Sequence, residues 1–139
     1  MFRAIAQGLA RNRGMTLLAS DEAREADVLR QAVHDALCRG EVDKTYRPAV
    51  KSAVIDAPLP QYCVKLLDPK FWGGEPELLC LSRMLRTPLF VYLPNDSDGY
   101  APLAKYGTEW LKPTGKKKRS RRPIRLLYVN GNHYDLLLV

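Results

Sequence analysis

Cysteine is scarce in this sequence. Only Cys38, Cys63 and Cys80 occur among its 139 residues. An odd number of widely spaced cysteines does not predict a disulfide framework, and it is typical of proteins from a reducing compartment. His34 and Cys38 lie four residues apart on the polar side of a predicted helix, where we expect exposed side chains. They could share a metal ion, but the sequence offers no second pair of ligands. We therefore expect no structural zinc site, since such sites need a closed set of four ligands.

Long apolar runs are also missing. No stretch approaches the roughly 20 apolar residues of a membrane helix. The segment Met1–Ala10 contains Arg3 and Gln7, unlike a secretory signal. We expect an intracellular protein of the cytoplasm or nucleus that does not enter membranes. Its composition, 46% apolar and 27% charged, is that of one globular domain over residues 1–139.

Positive charge exceeds negative charge mainly in one loop, residues 112–123. The net charge is +7, and six positive charges come from Lys116, Lys117, Lys118, Arg119, Arg121 and Arg122. One hypothesis is that this basic loop binds nucleic acid or an import factor. Proteins that bind single-stranded nucleic acid typically have aromatic residues among their basic residues. No aromatic residue lies between these charges. A solvated loop is the simpler interpretation.

Helical patterns dominate the first part of the chain, and strand patterns the last part. The pattern predicts helices from Met1 to Gly14, from an N-cap at Ser20 to Gly40, over Leu59–Leu67 and from Pro76 to Arg86, and strands over Leu89–Leu93 and Tyr100–Tyr106. The strand Leu89–Leu93 is apolar throughout, which predicts complete burial. This order favours an α+β fold in which helices pack on a small mixed or antiparallel sheet.

A tight hairpin is predicted at the end of the chain. Two apolar runs flank Asn130-Gly131, a dipeptide that tolerates positive φ at both central positions of a type I′ turn. Because side chains alternate along a strand, His133 and Asp135 share one face, while Tyr134 lies on the other. An imidazole beside a carboxylate is half of a catalytic triad, but residues two apart are equally typical of a solvated polar pair.

A sharp turn is predicted at Phe71-Trp72-Gly73-Gly74. Pro76 then suits the first turn of a helix, and Glu75 and Glu77 suit the positive end of its dipole. Trp72 is interpreted as a packing anchor.

Four blocks of this sequence resemble the ovarian tumour (OTU) family of cysteine proteases. They are Met1–Ala6, Trp72–Glu75 with Glu77-Leu78, Leu89–Leu93 and Asn132–Asp135. The resemblance covers nearly the whole chain and implies a papain-like fold of the OTU type, without metal or organic cofactor. It also implies hydrolysis of the isopeptide bond between ubiquitin and lysine, by a protein that we expect to be monomeric. The implied site residues are His133 as general base, Asp135 to orient it, and Trp72, Gly73, Gly74 and Asn132 in the substrate cleft.

The nucleophile of that family is not found where the resemblance places it. The family's first block reads Asp-Gly-x-Cys-Leu/Phe-Phe-Arg-Ala/Ser-Ile, and Met1 matches the residue after the cysteine. The resemblance thus implies that the nucleophile loop precedes Met1. Cys38 is a poor substitute because it ends a helix, where the dipole disfavours a thiolate. Cys63 and Cys80 lie on apolar helical faces, which predicts burial in the core.

Two explanations remain for this departure. The chain is either part of a longer enzyme or an inactive ubiquitin-binding module. We favour the first, because selection for binding alone would not need to keep both His133 and Asp135. In either case we expect the 139-residue chain to be inactive.

Overall fold

The elements of this chain follow the predicted order, helices before strands. A computed structural model describes residues 1–97, 99–111, 122–131 and 133–138. The helices are α1 (Phe2–Asn12), α2 (Ala19–Cys38), α3 (Arg47–Ala53), α4 (Leu59–Leu66) and α5 (Glu75–Met84), and the strands are β1 (Leu89–Pro94), β2 (Tyr100–Tyr106), β3 (Ile124–Val129) and β4 (His133–Leu136). The predicted α+β fold is confirmed. Within the described part of the chain, no helix has both the length and the apolar character that crossing a membrane requires.

The sheet is mixed, with the strand order β2-β1-β3-β4. β1 pairs antiparallel with β2 and parallel with β3, and β3 pairs antiparallel with β4. The expectation that Leu89–Leu93 is fully buried was wrong for its second half, since Leu93 is 37% exposed. The reason is the register: β3 pairs only with Leu89 to Tyr92, so the end of β1 extends beyond its parallel neighbour.

Helix α1 packs closely on the sheet through Gly8. A β-carbon at this position would lie 2.7 Å from Ile124 Cγ2 and 3.2 Å from Leu136 Cδ1, so only glycine allows this approach. The Gln7 side chain then links α1 to the segment before α2, donating to the Leu17 carbonyl at 3.1 Å and accepting from the Leu17 amide at 2.8 Å. These contacts fix α1 against both the sheet and the helical layer.

A disulfide joins Cys38 to Cys63, contrary to the expectation from the cysteine count. Cys38 ends α2 and Cys63 lies in α4, with their Cα atoms 6.0 Å apart. The segment between them, a sequence separation of 25, folds back through α3 and places α4 against α2. Sequence spacing does not reveal such tertiary proximity. Cys80 is free and buried, as predicted.

Two local predictions on α2 were also wrong. The helix begins at Ala19, with Leu18 rather than Ser20 at the N-cap. His34 does not point into solvent, because its side chain is only 17% exposed. Since Cys38 is bonded to Cys63, it offers no thiolate for a metal ion shared with His34.

Candidate active site

The closing hairpin has the geometry that its turn sequence predicts. Asn130 and Gly131 have φ values of 55° and 72°, as a type I′ turn requires. Val129 pairs with His133 across the two strands. On the other face, the rings of Tyr128 and Tyr134 lie 4.8 Å apart. The turn and this aromatic pair set the register that directs His133 and Asp135 to the same side.

His133 and Asp135 are in direct contact. Asp135 Oδ1 lies 2.6 Å from His133 Nε2, and the two side chains are 60% and 57% exposed. A polar contact this accessible to solvent contributes little to stability. Its effect is to fix the orientation of the ring, with Nε2 held by the carboxylate and Nδ1 left for proton exchange.

The imidazole and the first turn of α1 border the same cleft. This cleft has a volume of about 630 Å³ and is bounded by Met1–Ala4, Arg30, Pro69–Gly73, His133 and Tyr134. Burial lowers the pKa of the Met1 amino group, the Arg30 guanidinium lowers it further, and the Asp135 carboxylate partly opposes both. The charges of α2 and β4 therefore both act at the start of α1.

The turn at Trp72 forms one wall of this cleft. Trp72 is 68% exposed, so its interpretation as a packing anchor was wrong, and it lines the cleft instead. Gly73 packs directly on Met1, since a β-carbon there would lie 2.2 Å from Met1 Cε. Gly74, the N-cap of α5, has extended backbone and no atom within 4 Å of such a β-carbon. Asn132, predicted in the cleft, lies outside the described residues.

Glu77 supports this turn from the protein interior. It is only 1% exposed, and its carboxylate accepts hydrogen bonds from the Tyr62 hydroxyl and from the Gly74 amide. Burial raises the pKa of Glu77 to about 7, while these two donors act in the opposite direction. The sequence predicted only that Glu77 suits a helix start. It did not reveal the buried hydroxyl from α4.

Arg30 is a cleft residue that sequence reasoning missed. It is 9% exposed, its guanidinium lies 5.0 Å from the centre of the Phe2 ring, and Nη1 contacts Asp27 Oδ1 at 2.8 Å. A signal was present, because Arg30 falls on the buried stripe of α2 that also contains Leu29 and Val33. A charged residue on such a stripe is a candidate for a specific role.

None of the three cysteines lines the cleft. Cys38 and Cys63 are bonded to each other, and burial raises the pKa of Cys80 to about 12, which keeps its thiol protonated. Among the residues with described positions, no three His, Cys, Asp or Glu side chains form a metal-binding group.

Most of the predicted basic loop, residues 112–121, lies outside the described residues.

The model of the OTU-like cysteine protease family matches residues 1–134. This chain belongs to that family. The OTU chain is 37% identical over 146 residues to ovarian tumor domain-containing deubiquitinating enzyme 3 of Arabidopsis thaliana, covering 99% of this chain and 62% of that protein. It is also 32% identical over 141 residues to ovarian tumor domain-containing deubiquitinating enzyme 4 of Arabidopsis thaliana, covering 100% of this chain and 40% of that protein. It therefore spans less than two thirds of either relative.

The fold of the chain is similar to that of a viral OTU domain. The structure of the Hazara virus OTU bound to ubiquitin matches with a TM-score of 0.58 and 19% sequence identity, covering 99% of this chain and 77% of the viral one. The α+β fold of this chain is thus that of an OTU domain.

Proposed function

We propose that this OTU-like chain supplies the acid–base pair and the substrate cleft of a deubiquitinase that cleaves isopeptide bonds between ubiquitin and lysine. The observation that carries the proposal is the position of His133, which Asp135 holds beside the cleft that the first turn of α1 also borders. Two plant relatives are named as deubiquitinating enzymes, and the viral OTU is bound to ubiquitin.

We further propose that the nucleophilic thiol belongs to the residue that precedes Met1 in the intact protein. Helix α1 begins at Phe2. The residue before Met1 would therefore stand at the positive end of the helix dipole. The Arg30 guanidinium, whose charge acts at the backbone nitrogen of Met1, would add a second positive charge nearby. Both influences stabilise a thiolate and so lower the pKa of a thiol.

In this mechanism His133 transfers the proton at each step. Nδ1 accepts the thiol proton as the sulfur attacks the isopeptide carbonyl, and the imidazolium then donates that proton to the departing lysine amine. His133 next removes a proton from water as the water oxygen attacks the thioester carbonyl. The C–S bond then breaks, the ubiquitin carboxylate leaves, and the imidazolium returns its proton to the thiolate. Asp135 keeps the ring in the required tautomer and stabilises the imidazolium.

A second candidate function applies to the 139 residues by themselves. Because none of their cysteines lines the cleft, we propose that this chain binds ubiquitin without cleaving it. Binding requires the cleft and its walls, whereas hydrolysis also requires the thiol.

The test compares the 139-residue chain with a form extended by the residues upstream of Met1 in the intact protein. Cleavage of linked ubiquitin and binding of ubiquitin are measured for both forms. We expect cleavage only by the extended form. His133→Ala should lower its kcat by about 10³-fold or more, and Asp135→Asn by less, with binding retained.

Two substitutions serve as matched controls. Asp96→Asn changes an exposed carboxylate in the β1–β2 turn, and His34→Gln changes the other histidine. Neither should alter kcat. An extended form that binds ubiquitin without cleaving it would favour the binding function, and one that does neither would refute both proposals. Cleavage by the 139-residue chain would place the nucleophile elsewhere.

A further inference from the structure

The turn that walls the cleft is attached to the protein interior at both of its ends. At one end, Phe71 packs edge-on against the ring of Tyr62, with centroids 6.1 Å apart and planes at 83°. At the other end, the Gly74 amide donates to Glu77 Oε1 at 2.5 Å. The second oxygen of the same carboxylate accepts the Tyr62 hydroxyl. Tyr62 therefore supports the turn twice, directly through its ring and indirectly through Glu77.

Trp72 and Gly73 lie between these two attachments. Trp72 projects into solvent with 68% of its surface exposed, and Gly73 contacts Met1 at the start of α1. Tyr62 and Glu77, in contrast, are 6% and 1% exposed. Burying a carboxylate costs desolvation free energy, and the two hydrogen bonds that Glu77 accepts offset part of that cost.

We propose that the buried Tyr62–Glu77 pair is a positioning device for substrate binding, which holds the Trp72–Gly74 wall of the cleft in its binding conformation. This inference rests on the proposed deubiquitinase function and adds residues that act through the wall rather than on the reacting atoms. Loss of the pair leaves the acid–base residues of β4 in place. It weakens ground-state and transition-state binding equally, so KM rises while kcat is unchanged.

The chain provides a matched control pair on the same helical turn. Glu75 also lies in the first turn of α5 and is also near a tyrosine hydroxyl, with Tyr106 Oη 3.4 Å from Glu75 Oε1. Glu75 is exposed, and neither residue borders the cleft. Substitutions in this second pair repeat the chemical change without loosening the wall.

The first test uses steady-state kinetics on the extended protein with a ubiquitin substrate. Glu77→Gln and Tyr62→Phe should each raise KM about tenfold, the size expected from one lost buried hydrogen bond, with kcat unchanged. Glu75→Gln and Tyr106→Phe should change neither constant. A fall in kcat at constant KM would indicate only a smaller folded fraction and would overturn the proposal.

The second test needs no activity. Amide hydrogen exchange over residues 71–74, followed by mass spectrometry of the 139-residue chain, should be about tenfold faster in Glu77→Gln and Tyr62→Phe than in the parent protein. Exchange in α1 should stay the same, which separates a loosened wall from general unfolding. Unchanged exchange over 71–74 in both variants would overturn the proposal. An inactive extended parent protein would refute the deubiquitinase function but leave this measurement decisive for the wall.

Discussion

Gly73 and Met1 are in such close contact that a β-carbon at position 73 would stand 2.2 Å from Met1 Cε and 3.2 Å from Met1 Cβ. The thioether end of Met1 can swing aside, but its β-carbon can move only with the backbone of α1. Gly73 is therefore needed where the wall of the cleft meets the helix start.

Gly73→Ala should lower the activity of the extended protein more than its stability. We expect a loss of about 1 kcal/mol in the free energy of unfolding, because the methionine end is flexible, and a larger fall in kcat/KM, because the wall and α1 separate. Urea unfolding and ubiquitin cleavage measure the two effects. Gly8→Ala is the matched control, since it also brings a β-carbon against a neighbouring side chain but lies outside the cleft. Equal losses in both variants would contradict this role of Gly73.

Glu77 should make the stability of the fold depend on pH. Burial raises its pKa from 4.5 to about 7, so the folded protein holds a proton that the unfolded chain has released. The resulting contribution is complete below pH 4.5 and is lost as the pH rises to about 7. Its size is at most about 3 kcal/mol.

The charged and titratable groups near Glu77 are Tyr62 on α4, Cys80 on its own helix and Tyr134 on β4, and all three have pKa values raised by burial. None of them titrates between pH 4.5 and 7. Chemical denaturation at pH 5 and pH 8 should thus show a smaller pH difference in Glu77→Gln than in the parent protein. Glu75→Gln should keep the parent's difference. If the free energy of unfolding changed equally with pH in the parent and in Glu77→Gln, Glu77 would not be the source of the pH dependence.

The Cys38–Cys63 disulfide should stabilise the packing of α4 on α2. Closing a loop over a separation of 25 residues contributes about 3 kcal/mol in the chain-entropy description. A reducing agent should lower the denaturation midpoint of the parent protein and should leave Cys38→Ser/Cys63→Ser unchanged. Intact mass before and after alkylation reports the number of free thiols. Three alkylated cysteines in the untreated protein would show that the bond does not form.

Gly8→Ala should destabilise the protein even though alanine favours helices. The higher helix propensity of alanine should stabilise α1 by about 1 kcal/mol. The new methyl group would, however, overlap Ile124 Cγ2, and Ile124 cannot move away because it is only 2% exposed. We expect a net loss of about 1–2 kcal/mol in thermal or urea unfolding. The loss should shrink in an Ile124→Ala background, where the overlap is relieved. An additive double mutant would argue against the contact.

The features that the sequence predicted well are those fixed by local chemistry. Asn130-Gly131 favours positive φ without any tertiary contact. The hairpin could therefore be predicted from this dipeptide, and so could the shared face of His133 and Asp135. The start of α5 follows in the same way from Pro76 beside its acidic neighbours. The resemblance to the OTU family then supplied the order in which these pieces assemble.

The features that the sequence did not reveal depend on contacts between distant segments. Cys38 meets Cys63 only because α3 reverses the chain between them. Glu77 is buried only because Tyr62 arrives from α4, and nothing in the α5 sequence indicates this. Trp72 gave the opposite error, since a large aromatic residue usually packs inside, whereas here the residue is 68% exposed.

The cleft joins the first helix of the chain to its last described strand, and this has a consequence for biosynthesis. While a ribosome is still making the polypeptide, Met1 has emerged but His133 has not, so no nascent chain can assemble the site. Contacts between such remote positions also form late in folding, because the intervening loop must close first. Formation of the cleft is thus delayed until translation has passed β4.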